Sequence, residues 1–225
     1  MTELTTTIWI TVKLATITTI CLLLLGTPLA WWLAQRRSAL RTGIEAIVAL
    51  PLVLPPTVLG FYLLIAFAPQ SGLGMLWQQV TGHSLAFTFS ALVIGSILYS
   101  LPFVVQPLQA AFQQLPRGLL EASATLGARP LDQLVSVILP LCRRSFIAAA
   151  SLGFAHTVGE FGVVLMIGGN IPGETQVLSI ALYDQVESLQ YAQAHRMAAG
   201  LLIFSFLMLF LLYRQGNNGG WRIQR

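Results

Sequence analysis

The sequence predicts an all-α protein that crosses a membrane about five times. Of its 225 residues, 56% are hydrophobic and only 9% are charged, whereas soluble domains carry roughly 25% charged residues. Several apolar runs are long enough to cross a bilayer as a helix, which takes about 20 residues. Helices are the natural form, because a segment inside lipid has to satisfy its backbone hydrogen bonds internally. The predicted spans are residues 8–33, 45–67, 85–112, 146–167 and 197–213.

The distribution of basic residues predicts how these spans are oriented. Arginines are concentrated after the first span, after the third span and in the tail, whereas residues 68–84 and 168–196 contain Arg196 as their only basic Arg or Lys side chain. Cytoplasmic loops carry the excess of Arg and Lys, so we expect an outer N-terminus and an inner C-terminus. A net charge of +4 spread over loops is typical of topology control and does not indicate a nucleic-acid-binding face. The arginines placed on the inner side are Arg36, Arg37, Arg41, Arg117, Arg129, Arg143, Arg144, Arg214, Arg222 and Arg225.

The first span is predicted to remain in the mature protein. Glu3 precedes it and Arg36 and Arg37 follow it, which is the reverse of the charge order in a cleavable signal. Cys21 and Cys142 are predicted at different depths, so no disulfide is expected between them. The sequence has no C-x-x-C spacing, and neither a metal nor a cofactor is expected in this chain.

The second span contains Pro51, Pro55 and Pro56. Proline removes a backbone donor and bends a helix, which is tolerated in a membrane where neighbours or a cavity satisfy the freed carbonyls. Two interpretations stay open. The helix bends beside a pathway or gate, with Pro55 and Pro56 as candidate residues, or the bend serves packing alone.

Glu160 is the residue least suited to a bilayer, because a carboxylate near its middle costs about 3 kcal/mol on insertion scales. His156 lies four residues earlier, on the same helix face. We interpret both as candidate pathway or gate residues that line or brace a route. The alternatives are a structural carboxylate bonded to backbone groups at a helix break, and a proton relay that lacks further titratable groups. The glycines of this region, which permit close helix approach between two subunits or within one, are Gly153, Gly159, Gly162, Gly168 and Gly169.

Residues 176–186 are apolar for one or two turns and then acidic. This stretch is too short to span a bilayer. It predicts a short helix that lies outside the membrane or re-enters it partway, and a sixth span is the alternative.

Residues 114–140 form a polar segment between the third and fourth spans. Pro116 suits the first turn of a helix, Gly127 suits a left-handed helix end, and Pro130 suits the start of a second helix. We therefore predict a helix, a glycine turn and a second helix that ends at 139–140, before the fourth span. A folded cytoplasmic segment of this kind indicates a cytosolic partner. The predicted apolar faces are Leu115, Leu119, Ala122 and Leu126 on the first helix, and Leu131, Leu134, Val135 and Ile138 on the second.

The spacing in this segment resembles the EAA motif of bacterial ABC import permeases, which reads Glu-Ala-Ala, three residues, Gly, nine residues, Ile-x-Leu-Pro. Ser123 replaces the second alanine and Val137 replaces the isoleucine. In that family this loop is the coupling helix, which seats in a groove of the cytosolic ATPase. The residues to which the resemblance assigns this contact are Glu121, Ala122, Ser123, Gly127, Leu139 and Pro140.

Three further stretches are similar to the molybdate permeases of this family, and the similarity covers nearly the whole chain. They are LPLVLPPTVLGFYLL at 50–64, GEFG at 159–162 and NIPGET at 170–175. Sulfate permeases have a similar Gly-Glu-aromatic-Gly, so NIPGET discriminates better. Proline and glycine in NIPGET specify a turn at the outer mouth, which touches a binding protein, shapes an outer gate or only connects two elements. The outer-loop candidates are Asn170, Pro172, Gly173 and Glu174.

The resemblance implies a type I ABC importer permease fold and ATP-driven import of molybdate by alternating access. Tungstate or sulfate is the alternative oxyanion. Residues 1–225 are expected to form one transmembrane domain in the bacterial inner membrane. The implied partners are a second copy of the chain, two cytosolic ABC ATPase subunits and a periplasmic oxyanion-binding protein.

Two other function classes fit the sequence less well. A membrane hydrolase needs a nucleophile–base set or a metal site, and the only close His/Glu pair is His156 with Glu160. A passive anion channel explains the spans but not residues 114–140. The sequence has no G-x-x-x-x-G-K-[ST] phosphate loop, so the chain is not expected to be an enzyme and ATP hydrolysis is assigned to a separate subunit.

Overall fold

The computed structural model describes residues 2–35 and 38–217, and every regular element within these ranges is helical. Arg36, Arg37, Arg222 and Arg225, on which the predicted orientation partly rests, lie outside the described residues. The helices are α1 (Thr2–Gln35), α2 (Ala39–Ala49), α3 (Pro56–Phe67), α4 (Gly72–Thr81), α5 (Phe89–Gln113), α6 (Arg117–Thr125), α7 (Pro130–Gln133), α8 (Leu139–Gly159), α9 (Gly162–Gly168), α10 (Leu178–Glu187) and α11 (Tyr191–Asn217).

Four helical stretches of the described chain are long and apolar enough to cross a membrane. A bent pair of helices in the second predicted span adds a fifth crossing if the pair is counted as one span. The all-α class and the number of crossings therefore agree with the sequence, while the orientation of the ends stays a prediction. The four stretches are Glu3–Gln35, Phe89–Gln113, Pro130–Gly159 and Tyr191–Leu212.

The second span is broken rather than gently bent. Ala39–Leu52 and Pro56–Phe67 meet at an angle of 110°. A 3-10 turn at Leu50–Leu52 ends the first part, and Pro56 opens α3, where its missing N–H does no harm. The bend predicted from the prolines is thus confirmed, and it is a sharp corner between two short helices.

The fourth span differs from the prediction at both ends. We expected a helix ending at Leu139–Pro140 and a separate span over 146–167, but one continuous helix of 30 residues covers Pro130–Gly159. Pro140 is accommodated because a π-type turn lies directly before it, at Leu134–Ile138. In a regular α-helix the proline ring would clash with the carbonyl four residues earlier, and the wider turn relieves that contact.

The body of the protein is a bundle of α1, α5 and α8. Two clusters of buried apolar residues lie along it. The first contains Leu92 and Ile167 and extends to α3, α9 and α10, whereas the second contains Leu22 and Val104 and reaches Ile138 in the segment 114–140. In lipid, such close packing is what holds helices together.

The last two helices lie at the edge of this bundle. α10 is the predicted short helix. It buries Ile180 and Ala181, and Ile180 belongs to the first cluster. α11 packs on α8 and α10, and none of its most apolar 18-residue window is buried within the described chain. α11 therefore presents most of its surface to lipid or to another chain.

The N-terminal part of the second span is tied to α5 by polar contacts. Arg41 is 9% exposed, and its Nε and Nη2 atoms donate to Glu45 Oε1 at 3.0 and 2.9 Å. Gln109 on α5 donates its side-chain amide to the same carboxylate oxygen. Hydrogen bonds to a charged group are about twice as strong as hydrogen bonds between neutral groups.

Candidate functional site

The candidate coupling segment begins with a short helix that ends at a left-handed glycine. α6 follows Pro116, and Gly127 has a φ of +84°. The amide of Ala128 donates to the Ser123 carbonyl and the amide of Gly127 donates to the Ala124 carbonyl, both at 3.0 Å. These two bonds form a Schellman helix end, which requires a left-handed residue. The predicted conformation of Gly127 is confirmed, while its contact with an ATPase stays a prediction.

One side of this segment is open and rich in small and apolar side chains. Leu126 is 88% exposed and Leu131 is 73% exposed. Glu121 and Ala122 are also exposed, whereas Leu120 packs on the second apolar cluster. Large apolar side chains grouped on an otherwise polar surface mark an interaction site. The geometry is suited to a partner that brings an apolar pocket and a basic group.

The predicted apolar faces of the segment are divided differently in the structure. Leu115 precedes α6, so it does not share the helix face of Leu119, and it packs on the second cluster. Leu119 is 46% exposed. In the second helix, Leu134 faces the same cluster whereas Val135 is 61% exposed. Each of the two helices therefore has apolar side chains that the core does not cover.

Leu139 and Pro140 do not lie on the exposed turn that carries Glu121 and Gly127. They belong to the helix that continues into the fourth span, about 14 Å along its axis from Pro130 at 1.5 Å per residue. Their position fits a role in joining the coupling segment to the membrane helix.

The broken ends of the second and fourth spans touch each other. A Cβ atom built on Gly162 would lie 2.8 Å from Cβ of Pro56, and one built on Gly60 would lie 2.8 Å from Cβ of Met166. Only glycine permits such an approach between α3 and α9. The structure thus brings Pro56 together with the GEFG stretch, and Pro55 is exposed at the corner.

Glu160 follows the last residue of α8 and is only 3% exposed. Within the described chain neither carboxylate oxygen has a hydrogen-bond partner of good geometry, although the carboxylate interacts with the Ser96 hydroxyl of α5. Its backbone carbonyl accepts a hydrogen bond from the Ser179 hydroxyl of α10. The hypothesis of a structural carboxylate requires a helix break at Glu160, and this break is present. It also expects hydrogen bonds from backbone groups to the carboxylate, and these are not found among the described residues. Burying a carboxylate without a hydrogen-bond partner costs free energy. Glu160 therefore stabilises this junction only if another group forms a hydrogen bond with it.

His156 contacts α5 and makes no hydrogen bond to Glu160 in the described structure. Its Nδ1 atom lies 2.8 Å from Ser100 Oγ, and its ring stacks on Phe103 with the centroids 3.9 Å apart. The ring of Tyr99 also lies against it, with a centroid distance of 4.7 Å. Ser100 also reaches the Thr157 hydroxyl at 3.2 Å. His156 is therefore a fixed element between two helices, and the proton-relay hypothesis gains no support from its contacts.

The outer-loop candidates are held by a hydrogen-bond network that the sequence did not reveal. The Asn170 amide donates to Asp184 Oδ2 on α10, and the Gln176 amide donates to Asn170 Oδ1 at 2.8 Å. The Thr7 hydroxyl of α1 approaches Gln176 Oε1 at 3.4 Å. This network ties the loop to two helices.

The turn of the outer loop is closed around a buried hydroxyl. The Thr175 hydroxyl donates to the Gly168 carbonyl at 2.6 Å and accepts the Ile171 amide at 3.3 Å. Gly173 has a φ of +82°, which glycine adopts without strain. Residues 172–174 are exposed, so the loop presents a rigid tip.

No group of three or more His, Cys, Asp or Glu side chains within residues 2–35 and 38–217 is arranged to hold a metal ion.

Comparison with known proteins identifies close relatives. Residues 26–216 match the family model described as "Binding-protein-dependent transport system inner membrane component". The molybdenum transport system permease protein ModB of Azotobacter vinelandii is 57% identical over 204 residues, which cover 91% of this chain and 90% of that protein. The sulfate transport system permease protein CysT of Salmonella typhimurium is 31% identical over 198 residues, which cover 88% of this chain and 71% of that protein.

A solved structure has the same fold. It is a bacterial alginate ABC transporter in complex with an alginate pentasaccharide-bound periplasmic protein. The match has a TM-score of 0.74 at 13% identity and covers 96% of this chain and 79% of that chain. At this identity the likeness concerns the fold alone.

Proposed function

The chain belongs to the family of binding-protein-dependent transport system inner membrane components, and on that premise we propose that it is the membrane subunit that carries molybdate in an ATP-driven importer. The assignment of molybdate as the substrate rests on the 57% identity to a molybdenum permease over 91% of the chain. Sulfate is the weaker alternative, since the sulfate permease is 31% identical. The chain is a multi-pass subunit of the inner membrane and not itself the catalytic one.

The coupling surface is the open side of α6 and the turn that follows it. Glu121 supplies a carboxylate, Ala122 leaves room for close approach, and Leu126 offers a large apolar side chain that the chain itself does not cover. Residues of these kinds suit a groove on a separate ATPase subunit. Leu120 connects this surface to the second apolar cluster, so a displacement of α6 is transmitted to the helix bundle.

The pathway lies where α3, α9 and the C-terminal end of α8 meet. Both the second and the fourth span are interrupted there, and interrupted helices in transporters occur where backbone lines a cavity. The N-terminal end of α3, which begins at Pro56, adds partial positive charge to this region, which suits an oxyanion. Glu160 is buried and is assigned to the junction rather than to contact with a dianion, which a carboxylate would repel.

The complete importer contains two copies of this chain, two ATPase subunits and a periplasmic binding protein. Two copies about a two-fold axis enclose a route that one set of five crossings encloses poorly. The N-terminus and residues 170–175 then lie outside, where the rigid outer loop meets the binding protein, and α6 lies inside. ATP binding draws the two α6 segments together and turns the pathway outward, and hydrolysis returns it inward.

Uptake of radioactive molybdate in cells that lack the chromosomal copy tests this proposal. We expect the chain to restore molybdate uptake when its ATPase partner is co-expressed, and excess unlabelled tungstate to compete more strongly than sulfate. Uptake of sulfate but not of molybdate would establish the alternative. Uptake that persists without any ATPase would instead indicate a passive channel.

A further inference from the structure

A groove with a volume of about 660 Å³ lies between α1, α10 and α11, with Val158 near the end of α8 also in its lining. It exists because α11 packs on α8 and α10 and leaves its flank toward α1 open. The groove contains both charged and large apolar side chains. The residues assigned to the pathway and to the ATPase contact are not among those that line it.

The lining changes from polar to apolar along the groove. On α1 the lining starts at Glu3 and reaches Val12, and on α11 it starts at Gln193 and Arg196 and reaches Phe204. Both helices therefore contribute their polar residues at their N-terminal ends and their apolar residues about two to three turns later. This order is that of an amphiphile with its headgroup at the membrane surface and its chains deeper.

The polar end of the groove offers charges of both signs. Within the described chain the only ion pair is Arg41–Glu45, so Arg196 has no carboxylate partner, and its Nε bonds only to the Ala192 carbonyl at 3.4 Å. Asp184 lines the groove from α10, and its Oδ2 atom accepts hydrogen bonds from the Asn170 and Gln176 amides, which leaves Oδ1 for a cation. The Gln185 side-chain oxygen is buried there without a hydrogen-bond partner among the described residues.

We propose that this groove binds one phosphatidylethanolamine molecule. The phosphate is held by Arg196, the ammonium group is held by Asp184 and Glu3, and the acyl chains lie against Leu201 and Phe204. The lipid supplies both signs of charge at one end and hydrocarbon at the other, which matches the lining. A transmembrane helix of a second copy would fill the apolar part but bring no phosphate to Arg196.

The test is native mass spectrometry of the full-length chain, purified from nanodiscs that contain phosphatidylethanolamine and phosphatidylglycerol in equal amounts. We expect one retained phosphatidylethanolamine per chain. Gly200→Phe should remove it, because Gly200 lines the groove and a Cβ atom there meets nothing within 4 Å. The new ring can therefore enter the groove without disturbing the fold. Ala198→Phe, an equal change outside the lining, is the matched control and should retain the lipid.

A second pair of variants tests the headgroup contact. Arg196→Ala should lower phosphatidylethanolamine retention about two- to fivefold, which is the effect of one partly exposed ion pair. Arg214→Ala, at the other end of the same helix, should leave it unchanged. No retained lipid in the unaltered chain, equal retention of both lipids, or equal retention in Gly200→Phe would overturn the proposal. So would loss of dimer in Gly200→Phe but not in Ala198→Phe, since that result would place a second copy in the groove.

Discussion

The Cβ atom that Gly162 lacks would lie 2.8 Å from Cβ of Pro56. This contact joins the two interrupted spans, because Pro56 opens α3 and Gly162 opens α9. Two residues more than 100 positions apart in the sequence are thus fixed against each other at the proposed pathway.

We expect Gly162→Val to separate α3 from α9 and to lower molybdate uptake strongly. Overpacking of a tight contact destabilises a protein by about 1–3 kcal/mol, and the nearest atoms on this side include the backbone of Pro56. Thermal unfolding and uptake should both be measured. Gly159→Val is the control, since a Cβ atom at Gly159 meets nothing within 4 Å. Equal effects of the two variants would contradict the assigned contact.

Gly127→Ala should weaken the coupling segment through the backbone alone. The residue has a φ of +84°, and a Cβ atom there meets no neighbour, so the expected cost is the conformational one, about 1 kcal/mol. Gly118→Ala in the same segment also meets no neighbour but has no positive φ. We expect ATPase-stimulated uptake to fall in Gly127→Ala and to remain in Gly118→Ala. A loss of uptake in both would point to surface shape instead of backbone conformation.

Glu121→Lys should abolish association with the ATPase while the chain still inserts in the membrane. The carboxylate is exposed, so the substitution reverses a charge on the docking surface without disturbing the core. Co-purification of the ATPase with the tagged permease measures the effect. Glu187→Lys, a charge reversal at an exposed carboxylate of α10 and outside residues 114–140, is the control. Normal co-purification with Glu121→Lys would refute the docking assignment.

Glu160→Ala should impair uptake more than assembly. The carboxylate is buried beside Ser96, and its removal changes the junction of α8 and α9 without altering the coupling surface. Uptake and the amount of assembled complex in the membrane are the two readouts. Ser179→Ala removes only the hydrogen bond to the Glu160 carbonyl and should have the smaller effect. Unchanged uptake in Glu160→Ala would leave the residue a purely structural role.

The sequence predicted the helical class, the number of crossings and the glycine turn, because each depends on local composition. Apolar length determines a crossing, and Gly127 is the residue type that a left-handed helix end favours. The continuous helix through Pro140 was not predictable in the same way. It depends on a π-type turn at Leu134–Ile138, which no residue type specifies.

The polar contacts of the candidate site were only partly visible in the sequence. His156 and Glu160 were identified from their rarity in a membrane segment, but Ser100, which bonds to His156, and Ser96, which lies near Glu160, are on α5. Ser96 and Ser100 are four residues apart and share one face of that helix, which was the available signal. The pairing of Pro56 with Gly162 depends on how two distant breaks pack, and periodicity within one helix does not contain that information.

The corner of the second span separates two apolar clusters. Val48, before the corner, belongs to the cluster that reaches the coupling segment, whereas Leu63 and Phe67, after it, belong to the cluster around α9 and α10. The helices before and after the corner, α2 and α3, thus pack against different halves of the protein. Movement of one half relative to the other would bend the chain at residues 53–55. A covalent cross-link between α2 and α3 across this corner would therefore hold the transporter in one conformation.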